Sequence, residues 1–253
     1  MAHGVYVNFV QNLKCMRKRI SQVRFQNMIQ VCAHRGVSSD HRENTLEAFH
    51  AAVQQEADSI ELDVWLTKDN QLVIHHDKTC EGIDIENSTL KSLPNFVPTL
   101  NDVLNDFKTI PLNIELKISP VTDLQRLAKR VVSEVNENIT SSPLLVSSFN
   151  LKILKNLREY SQRIKLGYLT AQEGWERSKL FETVTENNFQ AVHPHYSLVS
   201  EDFMNISKEN DVEVNVWTVN EQSAVARQVH LGVNSIITDE VQMVKAFIKG
   251  STS

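Results

Sequence analysis

Ile60-Glu61-Leu62-Asp63-Val64, followed after a gap of seven residues by Leu72-Val73-Ile74-His75-His76, is the stretch on which the fold turns. The two runs lie too close together to enclose a crossover helix, so they form an antiparallel hairpin. Asp69-Asn70 supplies its turn, because both residues tolerate left-handed backbone. With those two as the central pair, Lys68 faces Gln71 and Asp63 faces His76. Glu61 and Asp63, two apart on a strand, point to one face.

Outward from this hairpin, short β-branched runs alternate with helical patterns. Strands are expected at Val31–His34, Ile60–Val64, Leu112–Leu116, Leu144–Ser148, Lys165–Leu169, Ala191–Pro194, Val212–Thr218 and Ser235–Thr238. Helices are expected between them, among others at Thr45–Glu56, Asp123–Val135, Leu151–Tyr160 and Glu221–Leu231. Such alternation implies parallel strands joined by crossovers. Eight strands are what closure requires, so the expected fold is an α/β class (β/α)8 barrel with an extra hairpin strand after strand 2. An open doubly wound sheet lacks support, since there is no GxGxxG or P-loop fingerprint.

The chain has 253 residues, which suits one barrel domain over residues 29–253 preceded by an extension over residues 1–28. That extension carries Lys14, Arg17, Lys18, Arg19 and Arg24. Its apolar residues Val5, Phe9, Leu13, Met16, Ile20 and Val23 recur at helical spacing. The segment can form a basic amphipathic helix that lies on an anionic membrane or acts as a transit-like segment. The preferred reading is an extension covering the closed end of the barrel, or a poorly ordered tail. A net charge of -5 argues against a nucleic-acid partner. Cys15, Cys32 and Cys80 form neither a disulfide framework nor CxxC metal spacing, which points to a reduced compartment. With no membrane-length apolar run and no secretory signal, the expected location is cytoplasmic.

Barrel enzymes carry their chemistry at the C-terminal ends of the strands. Here those ends supply His34-Arg35, Glu61 and Asp63, Glu115 and Lys117, Ser147-Ser148, His193 and His195, Trp217 and Asp239. Several carboxylates facing one poorly solvated cavity repel one another unless a cation sits between them. All-oxygen ligation suits Mg²⁺, Ca²⁺ or Mn²⁺. A salt-bridge network of the same carboxylates with Arg35 and Lys117 accounts equally well for the residue types. His34 and His76 are suited to acid-base work near neutral pH, and Arg35 and Lys117 to neutralising phosphate oxygens. Asn44 is expected as a helix N-cap with Glu47 at N3, Asp77 and Asp239 as groups that orient neighbours, and Ser147 and Ser148 as structural.

The ordered fragments His34-Arg35-Gly36, Glu43-Asn44-Thr45, Glu61-Leu62-Asp63-Val64, His76-Asp77, Val97-Pro98-Thr99-Leu100, Ile114-Glu115-Leu116-Lys117, Val216-Trp217-Thr218-Val219-Asn220 and Ile237-Thr238-Asp239 resemble the glycerophosphodiester phosphodiesterase family. The resemblance runs from about Val31 to Phe247. It implies a TIM barrel in which Glu61, Asp63 and Glu115 hold one divalent cation, Mg²⁺ or Ca²⁺ with Mn²⁺ as an alternative. It further implies that His34 and His76 form the catalytic pair, Arg35 and Lys117 bind phosphate, and Trp217 walls the pocket. The implied activity is hydrolysis of a small glycerophosphodiester to glycerol 3-phosphate and an alcohol. The alternatives are a lysophospholipase D or sphingomyelinase-D-like activity, and a non-catalytic phosphodiester-binding barrel. The chain departs from the family at Arg42, where proline is usual, at His75, and in a shortened stretch between Asp77 and Val97.

Overall fold

The computed structural model describes residues 29–138, 142–171 and 177–251, so the N-terminal extension lies outside the described residues. Strands β1 (Gln30–Ala33), β2 (Ser59–Leu66), β6 (Leu112–Leu116), β7 (Leu144–Ser148), β8 (Lys165–Thr170), β9 (Ala191–Pro194), β10 (Glu213–Val216) and β11 (Ser235–Thr238) pair in parallel and in that order. The ring closes through β1, which pairs with both β11 and β2. Helices α1 (Leu46–Gln54), α2 (Leu100–Asp106), α3 (Leu124–Glu137), α4 (Leu151–Tyr160), α5 (Arg177–Glu186), α6 (Glu201–Glu209), α7 (Gln222–Leu231) and α8 (Val241–Ser251) surround it. This is the expected (β/α)8 barrel with its extra strand.

That extra strand is β3 (Leu72–Ile74), antiparallel to the upper part of β2. β2 is long enough to serve three neighbours. Its base pairs with β1 at Ser59–Ile60, its middle with β6, and its top with β3 at Val64–Leu66. The hairpin register differs from expectation by one residue. Thr67 pairs with Gln71, and Lys68-Asp69-Asn70 forms a three-residue loop with Asn70 at φ 71°. Asn70 alone takes the left-handed position, as three-residue hairpins require, where a two-residue turn would have used both Asp69 and Asn70. Asp63 therefore faces His75, whose N–H donates to the Asp63 carbonyl (3.0 Å), and His76 lies beyond the ladder.

After β3 comes a small hairpin, β4 (Thr79–Cys80) with β5 (Ile83–Asp84), and a 3₁₀ turn at Leu90–Ser92. This excursion has its own apolar cluster of Trp65, Val73, Cys80, Ile85, Leu93 and Val97, separate from the main core. The main core lies between ring and helices, filled from the outward faces of the strands by residues such as Leu62, Ile114, Val146 and Val192. No helix among the described residues is long and apolar enough to cross a membrane.

Candidate active site

The loop after β1 sets the first wall. Arg35 (φ 55°) and Gly36 (φ 82°) are both left-handed, which turns the chain sharply at the strand end. At Gly36 a side chain is excluded, since a Cβ would lie 2.6 Å from the Ala48 carbonyl carbon of α1. The turn aims the Arg35 backbone N–H at Glu61 Oε2, 3.1 Å away.

Glu61, Asp63 and Glu115 converge at the centre, each offering an oxygen within 4.8 Å of the others. They meet because β2 and β6 pair in register, Asp63 beside Glu115, with Glu61 one same-face position below. Glu61 is 3% exposed and Asp63 1%. Arg35 Nε approaches Asp63 Oδ2 at 3.2 Å, and Lys117 Nζ lies 3.3 Å from Asp63 Oδ1 and 2.8 Å from Glu115 Oε1. Both halves of the alternative are therefore present, a salt-bridge network and a carboxylate cluster, but the network leaves two gaps. Among the described residues Glu61 makes no salt bridge and accepts only the Arg35 N–H, with the Arg35 guanidinium acting on it from farther off. Asp63 Oδ1 lacks any partner in hydrogen-bond geometry although Lys117 is near. Burial, then the Asp63 and Glu115 carboxylates, push the Glu61 carboxyl well above the ordinary range. Glu115 is raised by burial and by Asp63, with Lys117 pulling the other way. Burial disfavours a charged Lys117, yet Asp63 and Glu115 outweigh it and keep the ammonium protonated. Three carboxylates, two of them buried and Glu115 partly so, against two cations make an oxygen-only pocket with negative charge to spare, which fits a hard divalent cation.

His34 and His76 are held alike. His34 Nδ1 lies 2.8 Å from Asp239 Oδ1, and His76 Nδ1 lies 2.9 Å from Asp77 Oδ1. Asp239 also accepts from Asn220 Nδ2 (2.6 Å) and Ser38 Oγ (3.1 Å). Burial would raise the Asp239 carboxyl, but its bonds to His34, Asn220 and Ser38 hold it below the usual range. A carboxylate on Nδ1 places the proton there and leaves Nε2 as the exchanging nitrogen. Among the described residues neither imidazole hydrogen-bonds to the three carboxylates. Burial lowers the His76 pKa, with Asp63 opposing it and Lys117 and Arg35 adding to it.

Other expected residues fall differently. The Arg35 guanidinium is engaged, its Nη1 donating to both carboxylate oxygens of Glu43 at 3.0–3.1 Å. Asn44 is not an N-cap; Thr45 caps α1 through its hydroxyl. Asn44 sits left-handed at φ 58°, buried, donating from Nδ2 to Asp63 Oδ2 (2.8 Å) and accepting the Asp63 N–H (3.2 Å). It pins Asp63, a role that only the fold reveals. Trp217 stands at the rim, edge-on to Phe149 (5.4 Å) and His195 (5.5 Å), its indole donating to the His193 carbonyl. Phe149 was not singled out by the sequence, yet it is 46% exposed beside Trp217. Ser147 and Ser148 are structural, bonded to Asn113 Oδ1 and the Leu116 carbonyl. His193 lies inside the barrel, lining a cavity of about 710 Å³ that opens at the opposite end, among Gln30, Ser59 and Ser235. That cavity holds none of the converging carboxylates, so the chemistry belongs to the C-terminal face.

Comparison with known proteins agrees. Residues 34–243 match the model of the glycerophosphoryl diester phosphodiesterase family. A glycerophosphodiester phosphodiesterase of Caldanaerobacter subterraneus subsp. tengcongensis is 30% identical over 235 residues, covering 83% of this chain and 93% of its own. Among solved structures, the glycerophosphodiester phosphodiesterase of Thermotoga maritima superposes with TM-score 0.73 at 28% identity, covering 87% of this chain and 98% of that one. An Oleispira antarctica phosphodiesterase, solved with its product sn-glycerol-3-phosphate, superposes with TM-score 0.78 at 25% identity, covering 89% and 98%. With its barrel, its carboxylate cluster and a family match spanning nearly the whole described chain, this protein is an enzyme belonging to the glycerophosphoryl diester phosphodiesterase family.

Proposed function

We propose that the chain hydrolyses small glycerophosphodiesters to glycerol 3-phosphate and an alcohol, with Glu61, Asp63 and Glu115 holding one Mg²⁺, Ca²⁺ or Mn²⁺. The observation that carries this reading is Glu61, a buried carboxylate with two carboxylate neighbours and, among the described residues, no salt bridge of its own. When bound there, such a cation supplies Lewis acidity and a template for the phosphate. Lys117 adds a positive charge beside the same pocket, and Arg35 adds another once a phosphate competes with Glu43 for its guanidinium. His34 and His76 serve as the acid-base pair, each carrying its Nδ1 proton toward an aspartate and exchanging protons at Nε2. The product seen with the Oleispira relative supports the assignment of glycerol 3-phosphate.

Phe149 and Trp217 favour a second reading, a lysophospholipase D activity, because an exposed Phe149 against a half-buried Trp217 suits an acyl chain. Coupled detection of glycerol 3-phosphate from glycerophosphocholine and glycerophosphoethanolamine, with each cation and with chelator, tests the first reading. Choline release from lysophosphatidylcholine alone would favour the second. Cation-independent activity would remove the metal from both.

A further inference from the structure

Trp65 is the next same-face residue after Asp63 on β2, but it leaves the barrel and enters the small apolar cluster under the β4–β5 excursion. It is 5% exposed, and its indole N–H donates to the backbone carbonyl of His76 (3.1 Å). β3 ends at Ile74, and the last bond of the ladder is from His75 N–H to the Asp63 carbonyl. His76 therefore stands outside the sheet, and among the described residues its imidazole hydrogen-bonds only to the exposed Asp77. The indole is rigid, two torsions from the backbone and packed on all sides, so it fixes a carbonyl that the strand does not.

We infer that Trp65 is a positioning residue for the reaction, acting through the His76 backbone carbonyl to fix where that imidazole stands. The inference rests on His76 taking part in proton transfer. It also gives the shortened Asp77–Val97 stretch a task, since its cluster is what packs the indole in place.

The test is a double-mutant cycle on the full chain, with glycerol 3-phosphate release as the readout. Trp65→Phe keeps an aromatic ring and removes the donor. It should lower kcat about tenfold with KM within about twofold, the effect of a small displacement of a reacting group. In a His76→Gln background, whose residual rate is read at raised enzyme concentration, Trp65→Phe should change the rate by less than about twofold. Leu93→Ala damages the same cluster without touching the bond, and at a matched loss of Tm it should leave kcat within about twofold. Undiminished kcat in Trp65→Phe would overturn the inference. So would a full tenfold loss persisting in the His76→Gln background, or an equal loss in Leu93→Ala. Full activity of His76→Gln alone would instead sink the reading on which the inference stands.

Discussion

At the C-terminal end of the barrel, three carboxylates, Arg35 and Lys117 share one largely buried cluster. Toward the N-terminal end, the cavity lining is balanced in charge, with Lys165 paired to Glu213 at 3.5 Å and Lys208 and Asp211 also present, and its remaining polar groups are neutral. Ser147 Oγ donates to Asn113 Oδ1 (3.0 Å) and Asn215 Nδ2 lies 3.1 Å from His193 Nε2. Barrels usually fill this interior with bulky branched side chains. Both ends of this one are polar, so polarity alone marks neither as the site. Neutral polar groups satisfy one another by hydrogen bonds at little net cost, whereas like charges cannot, and a surplus of buried charge needs an ion or a substrate to balance it. That surplus is what distinguishes the two ends.

The largest effects should come from the charged end. Glu61→Gln or Asp63→Asn should lower turnover about a thousandfold or more, since each removes a proposed ligand to the cation that stabilises charge at phosphorus. The same Glu61→Gln protein, free of metal, should be at least as thermostable as the parent, because the change relieves carboxylate repulsion. Mg²⁺ should raise the melting temperature of the parent and not of Glu61→Gln. A variant that stays active, or one that melts far below the parent, would make the cluster structural.

Next comes the pair of dyads. His34→Ala should cost about 10²–10⁴-fold in kcat. Asp239→Asn, which leaves the ring but removes the carboxylate that sets its tautomer, should cost about a hundredfold, measured as kcat against pH. At the neutral end, Gly167→Ala should destabilise by about 1–3 kcal/mol, because a Cβ there would lie 2.5 Å from His193 Nε2. Chemical denaturation reads that loss. The kcat of the folded fraction should be unchanged, which would confirm that the two ends work independently.

The smallest effect per step is in pH, and its sign differs between the ends. Burial lowers the His193 pKa from 6.5 to about 3, so between those values the unfolded chain binds a proton that the native one refuses. Stability should therefore fall as pH drops below 6.5, by about 1.4 kcal/mol per unit from this group. The Glu61 carboxyl is raised above its ordinary 4.5, so the metal-free native state keeps a proton that the unfolded chain releases. That contribution should decline as pH rises above 4.5. Denaturation curves across pH for His193→Gln and Glu61→Gln should each flatten one limb only.

Much of this was legible in the residues. Four of the eight ring strands have the expected limits to the residue, and α4 matches at both ends, because burial of Leu112–Leu116 or Ser235–Thr238 and the spacing in Leu151–Tyr160 are local patterns. The carboxylates could be grouped because two residues on a strand share a face whatever the fold. The hairpin register could not be read, since Lys68-Asp69-Asn70 accommodates a two- or a three-residue loop and only the Thr67–Gln71 pairing selects one. Asn44 was misread for a similar reason. Its position before a helix suits a cap, and its contact with Asp63 spans 19 residues of sequence.

By itself, then, the sequence determined the barrel, the strand faces and the set of groups able to bind a cation and move protons, because periodicity and residue chemistry act over a few residues. Only the tertiary structure decided which nitrogen each histidine offers, which carboxylate makes no salt bridge among the described residues, and that Trp65 reaches His76. Those depend on contacts between distant segments, such as His34 with Asp239 across 205 residues, and packing alone sets them.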